Sequence, residues 1–345
     1  MRRTTTVHLV DSLRLSRLVE LASNGTGRAE LVATCAGEVV VVDLEPCRAD
    51  PGVLATLPLV VVGIGDHAGL GADLVDVVVP DPGAAAEAAD AVRRWPKAAT
   101  ALAMLLRGAS GRTVTDGLVA ESATYSLLQA GPEHRSWLDS RPRRRPPSVD
   151  QTDPVRLERT GDELRVTLQR PDVHNALNAA MRDGLLDALA VASADPRVHL
   201  EIDGAGASFC SGGDLDEFGT LDDPASAHLL RLGRSVGYAI HDLADRVTVR
   251  VHGHCVGSGL ELAAFAGRVM ATEDATFALP ELAMGLVPGA GGTVSITRRI
   301  GRHRTAWLAL TGRRIDAREA LRWGLVDELS EAPADRRSQN PRTDG

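Results

Sequence analysis

Two spacings of apolar residues alternate along most of this chain. Short β-branched runs at 37–45 (GEVVVVDLE), 58–65 (PLVVVGIG) and 73–80 (DLVDVVVP) read as strands buried on both faces. After Asp81 and Pro82, the runs 84–95, 98–108 and 115–131 space their apolar residues as helices do, with Gly108 and Gly131 as stops. A second series follows the proline- and arginine-rich stretch SRPRRRPPSVDQTDP. There 162–170 (DELRVTLQR) alternates like a half-buried strand, 174–193 carries a helical period, and 199–206 (HLEIDGAG) is a strand entering a glycine turn. A helix over 225–244 and a strand over 246–253 come next. Strand and helix alternate, so the pattern predicts an α/β protein.

The same pattern divides the chain. Residues 141–154 have no apolar period and read as an exposed linker, and 331–345 read as a disordered tail. A helix-rich α/β unit over 1–140 and a second unit over 155–330 remain.

Composition narrows the function classes. The chain has 345 residues, 44% hydrophobic and 24% charged, as expected of a soluble globular protein. A net charge of −8 and 3% aromatics argue against a nucleic-acid partner. No apolar run approaches the roughly 20 residues that span a bilayer. Asp11 interrupts any secretory core after MRRTTTVHLV. Cys35, Cys47, Cys210 and Cys255 are widely spaced, with no zinc pattern, which points to a reduced cytoplasmic protein without a metal. Lys97 is the only lysine, so phosphate contacts would fall to arginine or backbone N–H groups.

Three glycine turns carry the candidate chemistry: CSGGDL (210–215), VGSGLEL (256–262) and VPGAGGT (287–293). Each is a weak signal alone, since tight backbone packing also requires glycine. No lysine follows them as in a phosphate loop, and no third glycine completes a dinucleotide fingerprint. Gly253-His254-Cys255-Val256-Gly257 has the strand–turn–helix setting of a nucleophile elbow with cysteine as nucleophile. Yet the only downstream histidine is His303, in the basic run RRIGRHR. Glu261 lies in the first turn of the helix after Ser258, and Glu281 follows a proline amid apolar residues. A glutamate in such surroundings has a raised pKa suited to acid or base work. A helix-terminal charge and a solvated loop charge are the plainer readings of these two.

Four stretches together resemble the enoyl-CoA hydratase/isomerase (crotonase) superfamily: RPDVHNALN, GAGASFCSGGDL, the run from Val251 to Thr293, and ALTGRRIDAREALRWGLVDEL. The likeness runs from about Val155 to Leu329. It implies a crotonase-like ββα spiral core and an oxyanion hole made by the backbone N–H groups of Ser211 and Ser258. It also implies that Glu261 and Glu281 are the catalytic pair, that Cys255 is packing, and that His174, Ala176, Gly213 and Leu215 bind the substrate's coenzyme A portion. The expected reaction is hydration of a 2-enoyl-CoA to the 3-hydroxyacyl-CoA, a lyase activity in fatty acid metabolism with no cofactor beyond the coenzyme A of the substrate. Isomerisation, decarboxylation or thioester hydrolysis on the same site is the alternative, and a non-catalytic CoA-binding or assembly partner is another. A homo-oligomer, trimer or hexamer, is implied as well.

The chain departs from that family after Leu329, where helices that cover the site are expected and a polar tail stands instead. Residues 73–142 resemble those helices, and Leu74-Val75-Asp76 echoes Leu325-Val326-Asp327. The first unit therefore reads as a degenerate crotonase copy without a site of its own, with an unrelated domain as the alternative.

Overall fold

The computed structural model describes residues 13–35, 37–67, 69, 71–141, 153–221 and 223–331. Two compact units divide between Met104 and Leu105. The first holds β1 (Leu13–Arg14), α1 (Leu15–Ser23), α2 (Gly25–Cys35), β2 (Val39–Asp43), α3 (Gly52–Ala55), β3 (Val60–Ile64), β4 (Val77–Val79) and α4 (Pro82–Arg94). Its four strands form one parallel sheet in the order β1-β2-β3-β4. Valine fills β3 and β4 because both strands are buried. Leu15, Leu18, Leu57 and Leu59 are fully buried in the core beside them. Asp81 starts α4 by accepting the Ala84 N–H at 3.0 Å, with Pro82 following at the helix start.

The division falls inside α5 (Pro96–Arg107), short of residue 140, where the sequence pattern set the end of the first unit. The helices α6 (Val114–Gln129) and α7 (Pro132–Ser140) belong to the second unit. Packing explains why. A methyl group at Gly117 would stand 2.7 Å from Val294, and Ser126 donates to the Pro224 carbonyl at 2.8 Å. Most of the expected linker, residues 142–152, and the tail beyond Glu331 lie outside the described residues.

The rest of the second unit is a spiral. In chain order it contains β5 (Val155–Thr160), β6 (Glu163–Leu168), α8 (Ala179–Ala194), β7 (His199–Gly204), α9 (Pro224–Gly233), α10 (Val236–Asp242), β8 (Val247–Val251) and β9 (His254–Val256). Then come α11 (Ser258–Ala263), β10 (Arg268–Thr272), β11 (Thr276–Ala278), α12 (Gly292–Ile300), α13 (Arg302–Thr311), β12 (Ile315–Asp316), α14 (Ala317–Trp323) and β13 (Glu328–Ser330). The large sheet runs β13-β10-β8-β7-β6-β5, and only the β5–β6 pair is antiparallel. A smaller sheet runs β12-β11-β9.

Successive turns send one strand to each sheet. β8 leads to β9 and β10 leads to β11, while the chain after β7 joins β9 through a backbone β-bridge between the free cysteines Cys210 and Cys255. Cys255 in turn pairs with Phe277 on β11. The result is a short ladder, Cys210–Cys255–Phe277, and the chain just after each rung enters a loop at the same end of the small sheet.

Two helix expectations change at their ends. The helix expected over 225–244 is two helices broken at Arg234, because Ser235 caps the second by accepting the Tyr238 N–H. The helix expected from 174 begins only at Ala179, capped by Asn178. His174 and Asn175 before it are left-handed, with φ of 52° and 55°. The fully buried Asn175 side chain fixes that turn, bonding the Arg170 N–H and the Ala205 and Ser208 carbonyls, each at 2.8 Å.

Candidate active site

The ladder sets three loops side by side: Ser211-Gly212, Gly257-Ser258 and Leu279-Pro280-Glu281. Backbone hydrogen bonds tie them, from Cys210 to His254, from Val256 to Cys210 and from Gly257 to Ala278, each 3.0 Å. Gly257 has φ 52° and ψ −127°, a region essentially reserved for glycine. A methyl group there would stand 2.6 Å from Glu281 Oε1 and 3.5 Å from Gly212 Cα. Only a bare Cα allows the Glu281 carboxyl to lie against this turn.

Ser258 opens α11, where the first backbone N–H groups have no partner within the helix. Its own N–H has no acceptor among the described residues. Two buried side-chain atoms here also lack a partner among the described residues, Ser258 Oγ and Glu281 Oε2. Buried polar atoms are nearly always paired, so two orphans at one turn mark a place that a ligand completes.

Ser211 departs from expectation. Its backbone N–H, expected to be an open donor, is bonded to the His174 carbonyl at 3.0 Å. The left-handed turn at His174 and Asn175 delivers that carbonyl.

Glu261 is reached from the third glycine loop. Its Oε2 accepts the N–H of Ala290 at 2.7 Å and of Gly292 at 2.8 Å. Burial pushes its pKa up to about 7 despite these bonds, while burial and the neighbouring Glu261 raise Glu281 well above the ordinary carboxylate range. Both carboxyls are thus raised toward the range in which a buried glutamate can exchange a proton near neutral pH.

The expected substrate-binding residues are brought together by a second knot. Leu177 bridges Gly213, and Arg170 bonds both Asp214 (2.8 Å) and the Ala176 carbonyl. The exposed His174 ring bonds Ser208 Oγ at 3.1 Å and faces the His254 ring, centroids 6.0 Å apart. Leu215 is exposed, and its carbonyl accepts from Arg141. Cys255 is fully buried, and burial followed by Cys210 pushes its thiol well above the ordinary range. That is the reverse of what an attacking thiolate needs.

Four further residues at this site come from α6 and α7, in the part of the chain that the sequence pattern left without a site. Glu121, 1% exposed, accepts the Gly291 N–H at 2.6 Å, the Thr293 N–H at 2.8 Å and the Thr293 hydroxyl at 2.6 Å. Tyr125 packs on Gly289, where a methyl group would stand 2.5 Å from its ring. Arg231 stacks on that ring from α9 at 4.6 Å. His134 and Trp137 of α7 hold the Glu281 turn from behind. The His134 ring bonds the Met284 carbonyl at 2.9 Å and stacks on Trp137, centroids 5.4 Å apart. One signal was available in the sequence: Glu121 is an acidic residue on an otherwise apolar and small-residue helix face.

Among the described residues no cluster of three or more His, Cys, Asp or Glu is arranged to hold a metal ion. No described helix is long and apolar enough to cross a membrane.

Comparison with known proteins gives a consistent result. Residues 162–336 match the family model described as enoyl-CoA hydratase/isomerase. The 2,3-dehydroadipyl-CoA hydratase of Escherichia coli is 34% identical over 167 residues, covering 48% of this chain and 65% of that protein. A probable enoyl-CoA hydratase of Rhodobacter capsulatus is 37% identical over 174 residues, covering 50% and 67%. The solved enoyl-CoA hydratase of Thermoplasma volcanium matches at a TM-score of 0.50 with 33% identity, covering 56% of this chain and 81% of that one. The aligned region thus spans about two thirds of the length of these curated relatives.

Proposed function

We propose, from the premise that this chain belongs to the enoyl-CoA hydratase/isomerase family, that it adds water across the double bond of a 2-enoyl-CoA thioester. The observation that carries this reading is the pair of buried carboxyls, Glu261 and Glu281, beside the open Ser258 backbone donor. The thioester oxygen accepts from the Ser258 N–H, and the Ser211 N–H joins when its bond to the His174 carbonyl yields. Charge gathers on that oxygen as water attacks C3. Loss of one donor of this kind typically costs roughly 2.7–4 kcal/mol of barrier. Glu261 takes a proton from the water as its oxygen bonds C3. Glu281, protonated beforehand, gives its proton to C2. The 3-hydroxyacyl-CoA leaves, and proton transfer between the two carboxyls or solvent resets them. Dehydration is the same path reversed.

The coenzyme A portion lies along His174, Ala176, Gly213 and Leu215. The relatives named as hydratases support this reaction class. The first test is the decay of the conjugated thioester absorbance of crotonyl-CoA. Decay with wild type and strong loss in Glu261→Gln and Glu281→Gln is expected. Binding of crotonyl-CoA without decay would overturn hydration of this substrate.

A further inference from the structure

Five consecutive residues, Gly289 to Thr293, join the Glu281 turn to α12, and the backbone N–H groups of the last four point alternately at two carboxyls. Ala290 and Gly292 donate to Glu261, while Gly291 and Thr293 donate to Glu121. Neither set can be satisfied without the other, because alternate residues of one short segment cannot be moved independently. Gly291 makes the arrangement possible with φ 109°, and a methyl group there would stand 2.3 Å from the Phe265 ring. Ser295 adds a third tie, its hydroxyl donating to the Glu261 carbonyl at 2.7 Å.

We propose that Glu121 is a positioning residue of the active site, holding the Gly289–Thr293 segment so that its other N–H groups fix the Glu261 carboxyl for catalysis. Glu121 stands on α6, outside the matched segment 162–336, so this chain draws part of its catalytic support from before the family region. The inference rests on the hydratase reading for its kinetic consequence, but its structural consequence does not depend on the reaction.

The ionisable groups around Glu121 are Glu261 on α11, Glu281 on the turn after β11, Tyr125 on α6 and Arg231 on α9. Burial first and Glu261 second push Glu121 up to about 8, so it holds a proton at neutral pH. The Thr293 hydroxyl and the Gly291 and Thr293 N–H groups donate to the carboxyl and pull the other way.

The test compares wild type with Glu121→Gln, which keeps volume but turns one acceptor into an amide that faces an N–H donor. Thr293→Val is the milder second variant, since it removes only the hydroxyl. Backbone hydrogen exchange at 290–293 is read first. At least tenfold faster exchange at Ala290 and Gly292 is expected in Glu121→Gln, along with Gly291 and Thr293, with the small core strands unchanged. Kinetics follow with crotonyl-CoA. About a tenfold to hundredfold fall in kcat with KM within threefold is expected, and a smaller fall in the same direction for Thr293→Val. An alkaline limb of kcat near pH 8, present in wild type, should vanish in Glu121→Gln. Deprotection confined to Gly291 and Thr293, with Glu261's partners unaffected, would overturn the proposal. A folded Glu121→Gln with wild-type kcat and pH profile would overturn it too. An inactive wild type would discard the hydratase reading alone, and the exchange result would still decide the role of Glu121.

Discussion

Leu74-Val75-Asp76 and Leu325-Val326-Asp327 make the same corner in the two units. In each, the aspartate N–H donates to the carbonyl of a strand valine, Val61 at 2.8 Å or Val269 at 2.9 Å. The aspartate carboxyl then accepts the N–H of that same valine, at 2.8 Å and 2.7 Å. Leucine and valine are buried beside it both times. What differs is what the corner serves. Asp327 also pairs with Arg299 of α12, the helix that opens at the Gly291-Gly292 turn. The first unit has one parallel sheet, and no small sheet whose ladder could stack loops appears among its described residues. A likeness of this kind is what a degenerate copy would leave, and we propose that origin for the first unit. The lesson is that the strand clamp is scaffold, while the chemistry depends on the second sheet.

The largest effect should come from the chemistry itself. Glu281→Gln removes the proton donor to C2, and kcat/KM for crotonyl-CoA should fall by about 10²–10⁴-fold. Asp76→Ala, at the corner of the first unit, should leave that rate within twofold.

Gly257→Ala comes next. It forces a side chain into a positive-φ turn and against Glu281 Oε1, and a misplacement of about 1 Å can cost about 10²-fold. Rates measured at saturating and limiting substrate should show the loss chiefly in kcat. An alanine variant with wild-type kcat would mean that the Glu281 carboxyl does not act from this position.

The two corners can then be broken one at a time. Asp76→Ala leaves the buried Val61 N–H without its carboxyl acceptor and should destabilise the first unit by ~1–3 kcal/mol. Asp327→Ala should lower the melting temperature of the second unit and also reduce kcat, through Arg299 and α12. Calorimetric melts beside initial rates separate these outcomes, and equal loss of activity in both variants would erase the distinction between the units.

The smallest effect is on stability against pH. Glu121, Glu261 and Glu281 all have folded pKa values above those of the unfolded chain. The folded protein therefore binds more protons than the unfolded chain between about pH 4.5 and 8. The stability from neutral burial is full below that window and declines as pH rises through it. Denaturant melts at pH 5 and 8 should show this decline, and Glu121→Gln should lessen it.

Part of the site's geometry was legible in the sequence. Glu261 and Glu281 stand out as carboxylates at a helix start and after a proline in apolar surroundings, and both are buried, which sets aside the reading of Glu281 as a solvated loop charge. The alternation of strands and helices likewise foreshadowed the sheet of each unit. Three things were not legible, each for a physical reason. The state of the Ser211 N–H depends on where the left-handed His174 turn sends a carbonyl, and nothing local in the sequence specifies that. Glu121 belongs to a helix whose period signals core, and its partners lie 170 and 172 residues away in the chain. The boundary at Met104 reflects packing of α6 and α7 across the Pro/Arg-rich stretch, whereas composition alone marks the stretch itself.

The most direct test of the account is the product formed from crotonyl-CoA in deuterium oxide, read by NMR. The account predicts a 3-hydroxybutyryl-CoA with one deuterium at C2 and a hydroxyl at C3, formed by wild type and lost in Glu281→Gln. Deuterium uptake with no hydroxyl at C3, or hydration undiminished in Glu281→Gln, would contradict it.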